Sequence, residues 1–183
     1  TPFLIIPPFF YDLFLFETLH YFFITSVLII IFVYDLKHFL IPDKILLPAI
    51  FISFFYYLLR SIYLFFFYKN PTALLNFSYA LLSGTLFSLF FLCLYLISSG
   101  KWIGLGDVKL GFFLGLILGW PKIIPSLFIT YLIGGIIGIG LIVFKKKKPK
   151  SEIPFAPFLI TGFFIAFFFG QDLIRWYLNL TIQ

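Results

Sequence analysis

Long apolar runs separated by short polar connectors set the pattern of this chain. A helix that crosses a hydrocarbon core of about 30 Å needs roughly 20 predominantly apolar residues. Five runs approach or exceed that length, at residues 18–34, 45–68, 73–97, 123–144 and 154–177. A shorter run at 108–120 covers only about 20 Å at about 1.5 Å per residue. It either extends into residues 121–124 or stops partway and is buried by its neighbours, and it counts as a sixth span. The predicted fold is all-α, a polytopic membrane protein of about six transmembrane helices. Residues 3–16 are also apolar, but Pro7, Pro8 and Asp12 interrupt them. Residues 1–17 therefore read as an interfacial segment or the remnant of a preceding span, and residues 18–183 as one membrane-embedded domain.

Composition agrees with that picture. The chain is 62% hydrophobic and 11% charged, against about 25% charged in soluble domains, and no soluble fold of this length could hide so much apolar surface. Its 30 Phe residues serve lipid contact and packing. The net charge of +6 is no nucleic-acid signature, because the basic residues sit at span ends. With six spans, three connectors fall on one side and hold Lys37, Lys44, Lys101, Lys109, Lys145, Lys146, Lys147, Lys148 and Lys150, which is 9 of the 13 Lys and Arg. Lys69, Lys122, Arg60 and Arg175 lie toward the other side. Cytoplasmic loops carry the excess of Lys and Arg, so the lysine-rich side is cytoplasmic and both termini point outward. The Lys145–Lys148 cluster is a topology anchor that can also meet anionic lipid headgroups. Cys93, the single cysteine, excludes an internal disulfide and a multi-cysteine zinc site. The chain opens at Thr1 with no Met and reads as processed or as a fragment.

Only 7 residues are acidic, and a charged side chain at a span centre costs about 2.5–3.5 kcal/mol on insertion scales. Asp107 directly follows Gly104-Leu105-Gly106. It can cap a helix starting at Val108, and the two glycines allow unusual backbone angles, close approach of a substrate strand and movement of Asp107. Asp35 ends the first span. Pro42 cannot continue that helix, so the break falls near Ile41. Asp43 then lies at the N-terminal end of the second span and reads mainly as a helix cap. Asp35 has no such benefit, because the C-terminal end of a helix disfavours negative charge, so it needs a partner or a chemical task. The six-span count puts Asp35 and Asp107 on the same, cytoplasmic, face. Two carboxyls brought together share a proton near neutral pH; one can then activate water while the other donates to a carbonyl. No Ser-His pair or His-Glu zinc motif competes. His20 belongs near the outer side and His38 near the Asp35 connector. The Gly134-Gly135 and Gly138–Gly140 run suggests close helix packing. Intramembrane acids also mark ion paths, so a transporter or proton relay using these aspartates is the alternative; a non-catalytic subunit of a secretion machine is a third reading.

Three blocks, in order, resemble the type IV prepilin leader peptidases, membrane aspartic proteases with a GxGD motif. They are Asp35-Leu36-Lys37-His38-Phe39-Leu40-Ile41-Pro42-Asp43, then Gly104-Leu105-Gly106-Asp107-Val108-Lys109-Leu110, then Ile153-Pro154-Phe155-Ala156-Pro157-Phe158-Leu159. Ala156 stands where glycine is more usual. The resemblance implies a GxGD-type aspartic protease core in the inner (cytoplasmic) membrane, with Asp35 and Asp107 as catalytic residues. Gly104, Gly106, Lys109, Asp43 and Pro42 would shape the loop or position substrate. The implied substrates are prepilins or pseudopilins of pilus or secretion systems, cut between a basic leader and the apolar helix at the cytoplasmic face, with no metal or other cofactor and with membrane lipids as the other contacts. Many bacterial members add an N-terminal cysteine-rich domain and N-methylate the product. That part is not in this chain, so methyltransferase activity does not follow, and the chain reads as a cropped catalytic core or a naturally short peptidase. Oligomeric state does not follow from the sequence.

Overall fold

The computed structural model describes residues 8–143 and 154–181. These form six helices: α1 (Pro8–His38), α2 (Asp43–Phe67), α3 (Thr72–Ser98), α4 (Leu105–Leu118), α5 (Ile123–Val143) and α6 (Ala156–Thr181). All but α4 hold a stretch long and apolar enough to cross a membrane. The chain is a multi-pass helical membrane protein. α1 begins at Pro8 and runs unbroken through Asp12 and Glu17 into the first span, where the sequence suggested a boundary at residue 17. Proline is tolerated in the first turn of a helix because its missing N–H would have no intrahelical partner there.

The breaks have local causes. α1 ends where Phe39 turns left-handed at φ 55. Pro42, with φ −74 and ψ 108, then stands extended at the entry to α2. α3 ends at Ser99 and Gly100, both left-handed at φ 50 and 74, and the Gly100 N–H returns to the Tyr95 carbonyl at 2.9 Å.

The short helix α4 is the buried centre of the bundle, with Leu110, Phe113, Leu114 and Leu116 fully enclosed. It runs antiparallel to α3 across a glycine contact. A Cβ on Gly115 would lie 2.8 Å from the Gly84 Cα, and one on Gly111 would lie 2.7 Å from the Phe91 ring. Small residues of this kind let two backbones approach closely. α5 packs chiefly on α6, again antiparallel, with Gly162 of α6 against Thr130 and the Ser126 carbonyl of α5. The Gly134–Gly140 region differs from expectation. Gly134 touches the Phe158 ring, whereas added side chains at Gly135, Gly138 and Gly140 would meet nothing within 4 Å. Close packing in this pair runs through Gly162 instead, because that face of α5 is the one turned to α6.

The polar ends sort to opposite poles. At one pole the Arg60 Nε of α2 donates to Glu17 of α1 at 2.7 Å, and His20 is buried one turn inward, stacked on Tyr56 at 3.9 Å. At the other pole, residues 39–42, residues 99–104 and the start of α6 converge. Lys145–Lys148, Lys150 and Ile153 lie outside the described residues.

Candidate active site

Asp35 sits in the last turn of α1 and is 5% exposed. Its Oδ2 accepts the Ala156 N–H at 3.1 Å. Ala156 is the first residue of α6 and is fully buried. The partner that Asp35 required is thus the N-terminus of another helix. A carboxylate at a helix start gains from the unpaired N–H groups and the dipole, which offsets its unfavourable place at the end of α1. A hydrogen bond to a charged group contributes about 1.5–3 kcal/mol.

Asp107 is the third residue of α4, which starts at Leu105 and not at Val108. Its Oδ2 accepts the Gly104 N–H at 3.1 Å, and its own N–H donates to the Gly104 carbonyl at 3.2 Å. The two glycines do not act through unusual angles. Gly104 is ordinary extended backbone at φ −85 and ψ 160. Gly106 is helical and pressed on the first connector, where an added Cβ would sit 2.9 Å from the Ile41 Cβ. Close approach is the requirement at Gly106, and it is met by protein backbone and side chain already present.

Asp107 lies in the first turn of α4, outside the five long apolar helices. Burial pushes its pKa up to about 7; the Gly104 N–H pulls it down, the charge of Asp35 pushes it up again, and its own N–H pulls it down. The two acids therefore feel each other. This is the condition under which a carboxyl pair keeps one proton near neutral pH.

Asp43 and Lys109 flank the pair. Asp43 occupies the first turn of α2 but makes no side-chain cap bond. Its Oδ2 instead accepts from Lys109 Nζ at 2.7 Å, which corrects the cap reading. The contact ties α2 to α4, two residues beyond Asp107. Pro42 breaks the chain between Asp35 and Asp43. His38 is exposed, with its ring 4.5 Å from that of Tyr34. Among the described residues, no group of three or more His, Cys, Asp or Glu side chains is placed to hold a metal ion. Two features escaped the sequence reading. The Ala156 N–H anchor joins residues 121 positions apart and leaves no local mark. The Glu17–Arg60 pair was detectable as two opposite charges interrupting apolar runs toward the same pole.

The fold and site together define a multi-pass helical membrane protein with two interacting carboxyls at one pole of its bundle. The chain belongs to the type IV leader peptidase family, whose model matches residues 22–139. It is 32% identical to the prepilin leader peptidase/N-methyltransferase of Aeromonas hydrophila over 156 residues, 85% of this chain and 51% of that protein. The proteins of the same name from Bacillus subtilis and Pseudomonas aeruginosa are each 29% identical. They align over 86% and 79% of this chain, and over 58% and 47% of their own lengths. The chain spans about half the length of these relatives. No solved structure matches it.

Proposed function

We propose that this chain is a membrane aspartic endopeptidase that cuts the basic leader from prepilin-type substrates. The observation that carries the reading is the convergence of Asp35 and Asp107 at one pole, held there by the end of α1, the first turn of α4 and the start of α6. Family membership supplies the substrate class. The lysine-rich connectors on that pole support a cytoplasmic-membrane enzyme with its site facing the cytoplasm.

A carboxylate has about four lone-pair sites, so a backbone anchor leaves each acid able to meet water and substrate. With one proton shared, the ionised member takes a proton from water and the resulting hydroxide attacks the scissile carbonyl carbon. The protonated member donates to the carbonyl oxygen. The tetrahedral intermediate then collapses, the C–N bond breaks, and a proton passes to the leaving nitrogen. One proton remains on the pair, as at the start. Asp43–Lys109 and the Gly106–Ile41 contact hold the two acid-bearing segments in register and act as positioning elements.

The test is cleavage of a prepilin-type peptide by the chain in proteoliposomes. Asp35→Asn and Asp107→Asn should each abolish leader removal while inserting normally. Cleavage by either variant at the wild-type rate would sink the assignment. Asp-dependent ion flux without proteolysis would favour the proton-relay alternative.

A further inference from the structure

A cavity of about 180 Å³ lies between α5 and the start of α6, lined by Thr130, Tyr131, Gly134, Gly135, Phe155 and Phe158. It is separate from the acids but adjoins both. Phe155 directly precedes Ala156, whose N–H holds Asp35. Tyr131 lies within reach of the charge on Asp107. The Tyr131 and Phe155 rings meet at 5.9 Å, and they continue to Phe90 and Phe91 of α3 at 6.2 and 5.7 Å. The aromatic wall of the cavity therefore runs up to the place where both carboxyls are anchored.

Its chemistry is apolar. The Thr130 hydroxyl donates to the Ser126 carbonyl at 2.8 Å, so it offers no spare donor. An apolar cavity of about 150 Å³ binds benzene, so this volume admits a phenyl-sized group. Gly134 and Gly135 create the space by carrying no side chain, and an added Cβ on Gly135 meets nothing within 4 Å.

Resting on the peptidase reading above, we propose that this cavity is a specificity subsite that takes an apolar side chain, up to phenyl size, next to the bond being cut. The occupant follows from the location. A substrate carbonyl placed between Asp35 and Asp107 brings its neighbouring side chain against Phe155 and Tyr131. Gly135 sets the depth of the site, and Tyr131 and Phe158 set its width.

The experiment measures kcat/KM in proteoliposomes for single-span peptides that differ only at the residue after the scissile bond, carrying Ala, Leu, Phe or Trp. Gly135→Leu should lower the Phe-to-Ala ratio of kcat/KM by about tenfold or more, since a filled apolar pocket discriminates by roughly 10–200-fold. The loss should appear mainly in KM. Tyr131→Ala should raise the Trp-to-Phe ratio, a change opposite to that of Gly135→Leu and one that general unfolding would not produce. Cleavage with both ratios unchanged, or lost equally across the series, overturns the subsite while leaving the dyad intact. Absence of cleavage of every peptide by the wild-type chain overturns the peptidase reading itself, and the subsite with it.

Discussion

Asp107 keeps its proton up to about pH 7 because burial outweighs the N–H groups that reach its carboxyl. An acid with a raised pKa is protonated below that value and ionised above it. If Asp107 is the donor of the pair, cleavage falls as pH rises through about 7, and a rate constant flat between about pH 6 and about pH 9 contradicts the assignment. The glycines beside it differ from one another in what they tolerate. Gly106→Ala must displace Ile41 or the first turn of α4, a form of overpacking that costs about 1–3 kcal/mol. A Cβ on Gly104 would lie 3.6 Å from Asp107 Oδ2, an ordinary contact, so Gly104→Ala should change stability by less than about 0.5 kcal/mol. Thermal unfolding in detergent separates the two; equal losses would show that Gly106 does not gain from its closeness to Ile41. The GxG spacing revealed where the acid would be but not this asymmetry, which depends on a connector more than sixty residues away in sequence.

The helices carry the acids because of how they pack. α4 is too short to span by itself and is held by the glycine crossing with α3. Gly115→Val would thrust a branched side chain into the Gly84 backbone. It should destabilise the bundle by about 1–3 kcal/mol, with cleavage failing alongside stability. The Asp43–Lys109 tie behaves differently. Both side chains are at least a third exposed, and such pairs contribute about 0–1 kcal/mol. Lys109→Ala should therefore leave the melting temperature nearly unchanged. It should still lower kcat/KM by on the order of tenfold, because small misplacements of reacting groups are costly. The exchanged pair Asp43→Lys with Lys109→Asp should recover part of that loss; no recovery would mean that Lys109 acts outside the pair. Runs of apolar residues located all six helices, and Pro42 located the first break. The start of α4 was placed three residues late. Asp43 was read as a cap because the first-turn position is visible in sequence, whereas a cation 66 residues distant is not.

Taken whole, the molecule is two poles joined by five long helices and a buried sixth. The parity of spans needed no tertiary information, and it already put Asp35 and Asp107 on one face. What it could not supply was the role of α6, whose first N–H holds Asp35 and whose entry, with α5, builds the cavity. Orientation can be read directly. In a Cys93→Ser background, a cysteine replacing Lys101 should react with an impermeant maleimide only from the cytoplasmic side, and one replacing Lys69 only from the outer side. The reverse pattern contradicts the topology. The central claim is that Asp35 and Asp107 work as one unit, and a double-mutant comparison tests it most directly. Groups acting together in one step are non-additive. Leader cleavage in proteoliposomes should fall to the same residual rate in Asp35→Asn, in Asp107→Asn and in the double variant. Losses that multiply in the double variant, or substantial cleavage by either single one, would contradict a shared dyad.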